Sequence, residues 1–446
     1  MRQSGNEDKS PPSGERVGIV VKSFASGGAE KQAFLLAQNL TMGGCNATVI
    51  ALGRPGLRAR AAALQHEFPD VSTLVCLPRF SPLFFAFFRL FEVFLKPFQK
   101  AFSKLLGGTW AKFGNRLGCL VFALKRDAWW QKFFLLRVYT ASPMALFSVI
   151  ALRKIVSRHY ISRLIIFGVE NVPVGSITAR KLGLPVVFSE RNDVTAKPVS
   201  KTLRFVREAV YPEADIITAN TEFAVRDLQQ RYVSTRVLWL PNRRSFSDVF
   251  DEDRFTQGRD IAVISRLVPQ KRVLAVIQAF VSLPLDDHDA RLHVFGTGLE
   301  LPNLEKAVRR HGLGGRVVFH GYKRASEIYD ETKDLGFIIV NSEYEGSSNS
   351  LHEAVSHGLI PVVAESVREV REILRPSLHG VLITDGTPLG IAKTLRFLQS
   401  QNSDVQTLRL QIYSDFKKYW ARCDDQLLAS GPVIAGRYLT SPGGHN

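Results

Sequence analysis

Two glutamates, Glu345 and Glu353, bracket a run of small polar residues, Gly346-Ser347-Ser348-Asn349-Ser350. An apolar stretch, Leu335 to Val340, precedes them and reads as a buried parallel strand. Leu351, Ala354 and Val355 follow at helical spacing, and the pattern ends near Gly358. The run is therefore a strand-to-helix turn. Such a turn presents unpaired backbone N–H groups and hydroxyls to an anion, and a carboxylate on either side can hold the hydroxyls of a sugar or ribose. That is the chemistry a sugar-nucleotide site needs. Ser350 and Glu353 equally satisfy a capping box, in which hydroxyl and carboxylate cap each other's backbone N–H. The turn alone does not separate the two readings.

A second constellation lies upstream. Ile264-Ser265-Arg266-Leu267-Val268-Pro269-Gln270-Lys271 leaves a strand and enters a helix. Arg266 and Lys271 then sit at a strand's carboxyl end, where open α/β sheets bind ligands. Arg grips oxygens bidentately and Lys adds a point charge, which suits a diphosphate; two solvated cations in a basic protein would look the same. Gly296-Thr297-Gly298 and Gly27-Gly28 also follow strands. Each is either a close backbone approach to phosphate or a plain tight turn.

The elements that must position these residues alternate. Strands are expected at 17–21, 47–52, 164–167, 185–188 and 215–218, with helical patterns such as 174–182 and 203–210 between them. A second series runs through 261–265, 292–295, 317–320, 335–340, 360–363 and 381–383. Alternation of this kind implies parallel sheets. The expected fold class is α/β, with two Rossmann-like doubly wound domains facing a cleft and a helical aromatic-basic insert in the first. The boundaries are a disordered tail at 1–15, a first domain at 16–242, a second at 243–404, a terminal helix at 405–430 and a loose tail at 431–446.

Composition narrows the class. The chain has 446 residues, 45% apolar and 22% charged, which suits a two-domain globular protein. Its four cysteines have no metal-ligand spacing and fit a reducing compartment. No apolar segment follows the polar N-terminus, so no signal peptide is read there. Lys and Arg exceed Asp and Glu by 58 to 41, a formal net charge of +17. No zinc-finger, homeodomain-like or RNA-binding aromatic signature accompanies it, so nucleic acid is not the expected partner. The charge has a local source in 80–136. Phe84, Phe88 and Phe91 recur at helical spacing, Lys96, Lys100 and Lys104 form their own stripe, and Trp129 and Trp130 add interface-seeking rings. No stretch reaches the roughly 18–20 apolar residues that span a bilayer. An aromatic face beside a basic one suits a helix lying on an anionic membrane surface; an ordinary amphipathic insert packed on its own domain is the alternative. The corresponding location is cytoplasmic, peripheral on the inner face of the cell membrane.

In combination the motifs are specific. Arg266 and Lys271, then Gly296-Thr297-Gly298, His320-Gly321-Tyr322 and Glu345-x7-Glu353 occur in this order within one domain. The set resembles glycosyltransferase family 4, retaining enzymes of the GT-B fold, over about 17–52 and most of 164–397. Gly27-Gly28-Ala29-Glu30 looks like that family's opening loop. Phe188 to Asp193, Tyr211 to Asp215 and Leu240-Pro241-Asn242 look like a branch acting on polyprenyl-diphosphate-linked glycans and surface polysaccharides. The resemblance implies that Arg266 and Lys271 bind the donor diphosphate and that Glu345 lies near donor sugar and diphosphate. It implies that Glu353 holds the ribose, and that Gly346, Ser347, Ser348, Asn349 and Ser350 offer N–H groups to phosphate. Gly27, Gly28 and Gly296 would face the donor, and Glu190, Arg191 and Asn192 the acceptor. The implied partners are a nucleotide-sugar donor, with UDP as the expected nucleotide, and a lipid-linked or glycan acceptor. No cofactor is expected, and no metal either, because no DxD-like pair sits in a suitable turn. The chain departs from the family where many members carry a glycine pair, having Glu365-Ser366-Val367-Arg368-Glu369. It also departs where many place a first-domain His, having Glu190-Arg191-Asn192. A sugar-nucleotide epimerase on the same fold and an inactive GT-B scaffold of a membrane glycan complex remain alternatives.

Overall fold

The computed structural model describes residues 15–24, 28–53, 67–76, 143–244, 258–283, 290–332, 334–400 and 405–436. Gly27, the 80–136 segment with all eight of its aromatic and basic residues named above, and most of both expected tails lie outside these residues.

Seven strands build the first sheet: β1 (Arg16–Val21), β2 (Asn46–Ala51), β3 (Ser72–Val75), β4 (Arg163–Phe167), β5 (Val186–Glu190), β6 (Ile216–Ala219) and β7 (Val237–Trp239). Six build the second: β8 (Asp260–Ile264), β9 (Leu292–Phe295), β10 (Val317–Gly321), β11 (Leu335–Val340), β12 (Ile360–Ala364) and β13 (Ile383–Thr384). Their orders are β3-β2-β1-β4-β5-β6-β7 and β10-β9-β8-β11-β12-β13, and the pairings are parallel throughout. Both sheets are thus doubly wound. β11 is buried at every position, as a strand covered by helices on both faces must be. Strand order reverses between β1 and β4 and again between β8 and β11. The crevices outside those strand ends are the natural ligand sites.

Two short edge strands, β3 and β7, have too few alternating residues to be legible in the sequence. The strand expected at 381–383 is instead the end of a helix, Pro376–Leu382, with β13 reduced to two residues. The Val405–Ala435 helix corrects the expected chain end. Ser430-Gly431-Pro432 reads as a helix stop, because proline removes an intrahelical donor. Burial overrides it: Ile434 and Ala435 are 0% and 1% exposed, in one apolar core with β1, β2 and the Gly28–Met42 helix. Burying a side chain of that size stabilises by about 1.5–3 kcal/mol, enough to offset one lost hydrogen bond. Nearer its start the same helix contributes Ile412, Phe416, Tyr419 and Trp420 to the second domain's core. It therefore bridges both domains. Among the described residues no helix is long and apolar enough to cross a membrane.

Candidate functional site

The loops after β8 and β11 meet at the second sheet's reversal point. Pro269–Lys271 form one 3₁₀ turn, and Arg272 then takes a left-handed backbone, φ 47°. Its guanidinium donates to the Asn341 carbonyl through Nε at 2.9 Å and to Ser366 Oγ through a terminal nitrogen at 3.1 Å. Gln270 Nε2 donates to the Tyr344 carbonyl at 2.7 Å, and the Glu343 N–H to the Gln270 carbonyl at 2.8 Å. These bonds fasten one loop to the other and bring Lys271 against Glu345, where Lys271 Nζ donates to Glu345 Oε1. Ser342 Oγ donates to the same oxygen at 2.8 Å. The pair is mostly buried, with side-chain exposures of 16% and 11%. An ammonium has three donors, and one goes to Glu345. A small cleft lies beside them, with Ser265, Lys271, Asn341, Ser342 and Ser350 on its polar side and Val263, Val276 and Ile339 on its apolar side.

Arg266 is exposed at the end of β8. Its loop is held to the loop after β9 by three backbone bonds, Ser265 N–H to Phe295 O, Leu267 N–H to Thr297 O and Glu300 N–H to Leu267 O, each 3.0 Å. Gly296 is required here for packing. Its φ is +133°, and a Cβ would lie 1.8 Å from the Ser265 carbonyl oxygen. This glycine thus braces the Arg266 loop from behind.

The Asn349–Ser356 helix begins one residue after its N-cap, Ser348. Ser350 lies inside the helix, and Ser348 makes no side-chain cap bond, so the capping box expected of Ser350 and Glu353 does not form. The Ser348 N–H is not offered outward to an anion, because Glu369 Oε2 accepts it at 3.1 Å. Glu353 stands half-buried on the next turn. It lines a small cleft together with Gln32, Asn242, Arg243, Ser347 and Asn349. The first and second domains meet around this cleft: Asn242 Nδ2 donates to Asn349 Oδ1 at 2.8 Å, and Gln32 Nε2 to the Arg243 carbonyl at 2.9 Å.

From the first domain, Gly28 faces the 346–350 turn, since a Cβ there would come within 3.1 Å of Asn349 Nδ2. Gly346 approaches in return. A Cβ on it would meet the Arg191 carbonyl oxygen at 2.6 Å. Glu30 follows Gly28 into the same region. Burial raises its carboxyl pKa, opposed by Arg266 from the second domain and Lys22 from its own. The three residues expected on the acceptor side behave differently. Glu190 is 4% exposed and accepts the Tyr211 hydroxyl at 2.5 Å; its pKa is raised by burial. Arg191 turns inward, donating to the Leu240 carbonyl at 2.8 Å over the Phe167 ring, and burial lowers its pKa to about 9. Both are spent inside their own domain, and Asn192 alone of the three is half-exposed.

The 365–369 stretch closes the domains on each other. Arg368 pairs with Asp193 at 3.3 Å and Asp227 at 2.7 Å and lies over the Phe223 ring. Arg226 reaches back to Glu372. The Asp193 carboxyl is lowered: burial, which would raise it, is outweighed by Thr195, the backbone at 195–196 and Arg368. Among the described residues no group of acids, His or Cys is arranged to hold a metal ion. Sequence reasoning missed Arg368 and Glu369, because nothing in the stretch distinguishes them from neighbouring surface charges.

Known proteins are similar to this chain in sequence over part of its length and in fold over most of it. Residues 246–414 match the family model described as glycosyl transferases group 1. The chain is 27% identical over 119 residues to lipopolysaccharide 1,6-galactosyltransferase of Salmonella typhimurium, covering 26% of this chain and 32% of that protein. It is 26% identical over 152 residues to poly(ribitol-phosphate) alpha-N-acetylglucosaminyltransferase of Staphylococcus aureus, covering 34% and 30%. These matches thus span roughly a third of the curated relatives' length. Over nearly the whole chain the fold is that of Anabaena HepE, solved with UDP and glucose (TM-score 0.64, 15% identity, 95% and 100% covered). Staphylococcus aureus TarM, solved with UDP and glycan ligands, is similar in fold (TM-score 0.67, 11% identity, 94% and 99% covered). The fold is therefore GT-B, and the segment with Lys271, Glu345 and Glu353 at its reversal point matches the model of the group 1 glycosyl transferases.

Proposed function

We propose that this protein is a retaining, family 4-like hexosyltransferase that moves a sugar from a UDP-linked donor to a lipid-linked or polysaccharide acceptor in cell-surface glycan biosynthesis. The observation that carries the reading is the buried Lys271–Glu345 pair where the loops after β8 and β11 meet, with Arg266 on the same loop and Glu353 on the next helix. Relatives named for lipopolysaccharide and poly(ribitol-phosphate) support the acceptor class, and solved neighbours holding UDP support the nucleotide.

The mechanism follows from charge. As the bond from sugar to phosphate breaks, negative charge grows on the diphosphate. Lys271 and Arg266 stabilise it more in the transition state than in the bound donor, which lowers the barrier. Glu345 orients the ammonium and carries the negative charge that faces the sugar ring. Glu353 holds the ribose. With two fixed cations on the leaving group, no divalent metal is needed. The test is nucleoside diphosphate release from a panel of nucleotide sugars, with and without EDTA. UDP release that is unchanged by EDTA is expected; activity restored only by added Mg²⁺ or Mn²⁺ would overturn the metal-independent step.

The site works at a membrane in this reading, on the cytoplasmic face, with 80–136 as the contact. Each Lys or Arg near anionic lipid contributes about 1 kcal/mol. The full chain is expected to sediment with phosphatidylglycerol vesicles at moderate salt and to remain in solution with phosphatidylcholine vesicles. Equal sedimentation with both would contradict the charge argument.

A further inference from the structure

Behind the 346–350 turn lies a buried polar network that the proposed reaction does not use directly. Glu369 is 0% exposed. Its Oε2 accepts the Ser348 N–H at 3.1 Å, and its Oε1 takes two more partners, His352 Nε2 at 3.1 Å and the Tyr419 hydroxyl at 3.2 Å. Trp420 Nε1 donates to His352 Nδ1 at 2.9 Å. An indole N–H can only donate, so His352 Nδ1 is the acceptor and the ring proton sits on Nε2, directed at Glu369. The carboxylate therefore receives three donors from three places: the donor-side turn, the helix that carries Glu353, and the helix that bridges the two domains. Phe416 and Tyr419 enclose the imidazole, at ring-centroid distances of 5.5 and 5.7 Å.

We infer that Glu369 is a positioning residue that fixes the 346–350 turn against the nucleotide, and that Tyr419, His352 and Trp420 hold its carboxylate in place. The inference rests on the donor-site reading above. A buried carboxylate must be fully hydrogen-bonded to be tolerated, and here satisfying it sets the conformation of the turn. Without Glu369 the Ser348 N–H loses its acceptor, and the turn is free to rotate away from Glu345 and Glu353. Because Tyr419 and Trp420 belong to the interdomain helix, the turn is also tied to the element that sets how the domains meet.

Calorimetric titration of the full chain with UDP tests this, with Lys271→Ala as a control for the donor site itself. Glu369→Gln places an amide NH₂ donor against groups that already donate, and it should weaken UDP binding about tenfold. Tyr419→Phe, a gentler change that leaves Glu369 two partners, should weaken it about threefold. The double variant should bind no more weakly than Glu369→Gln alone, the signature of residues acting through one group. A merely structural role would reduce the bound stoichiometry or the Tm and leave the Kd of the folded protein unchanged. If Lys271→Ala weakens UDP binding but Glu369→Gln and Tyr419→Phe both bind with wild-type Kd, the positioning role is wrong and the donor site stands. If Lys271→Ala also binds normally, both fall. Should Glu369→Gln fail to fold, Tyr419→Phe decides by itself: a weakened Kd supports the role and an unchanged one overturns it. ¹⁵N NMR of His352 gives an independent check, with Nε2 protonated and Nδ1 bare expected; the opposite tautomer would refute the network.

Discussion

Replacing Lys271 with alanine is expected to lower kcat on the order of 10³-fold, the scale seen when one preorganised donor to a developing anion is removed. Two effects add. The cation that stabilises the leaving diphosphate is gone, and Glu345, 11% exposed in its side chain, keeps Ser342 as its hydrogen-bond donor among the described residues and turns its full charge on the phosphate. The fold should survive at a cost of about 1–3 kcal/mol, the price of a buried charge losing a partner. Lys271→Arg should recover part of the rate, since it restores the charge but brings a planar fork into a space shaped for an ammonium. Steady-state release of nucleoside diphosphate measures this directly. Wild-type turnover by Lys271→Ala would remove the pair from the mechanism.

The second large effect is expected from a backbone contact behind the Arg266 loop. Gly296→Ala should destabilise the protein by about 3 kcal/mol or more, and lower activity in the molecules that still fold. Its Cβ would sit 1.8 Å from the Ser265 carbonyl oxygen, a backbone atom held by its own hydrogen-bonded loop. The loop must shift, and Arg266 shifts with it. Gly312→Ala is the control. That glycine also has positive φ, +64°, but nothing lies within 4 Å of the added carbon, so only the conformational penalty of about 1–2 kcal/mol applies. Urea denaturation of both variants separates the clash from the φ cost. Equal losses would mean that the Gly296 contact is relieved without strain.

Much of this was legible because the signals are local. The runs at 335–340 and 360–363 are apolar at every position, as buried parallel strands must be, and they fall on β11 and β12. Lys271 and Glu345 could be placed at strand ends of one sheet in advance, but their ion pair depends on β8 lying beside β11, which only the structure shows. Where the reading failed, distant packing outweighed local preference. Ser430-Gly431-Pro432 signals a stop, yet Ile434 is buried in a core made by residues about 400 positions earlier. Ser350 and Glu353 have capping-box spacing, but the helix starts at Asn349 because Glu369 takes the Ser348 N–H. Glu190 and Arg191 look like cleft residues on their loop, and Tyr211 and Leu240 draw them inside. A buried acceptor brought from another loop has no periodicity and leaves no trace in composition.

The interdomain contacts bear on how the site is assembled. Arg368 reaches from the second domain to Asp193 and Asp227 of the first. Asp193 is fully buried on its side-chain surface, so its charge depends on that partner and on Thr195. The donor-side turn, the clasp and the bridging helix thus lean on one another around a single cleft.

The most direct measurement is mass spectrometry of a polyprenyl-diphosphate-linked acceptor incubated with the protein and a panel of UDP-sugars. The prediction is an acceptor heavier by one hexosyl or N-acetylhexosaminyl residue, with one UDP released per sugar transferred and no product from Lys271→Ala. Donor turnover without any gain in acceptor mass, or an acceptor modified equally by Lys271→Ala, would contradict a transferase built on the Lys271–Glu345 pair.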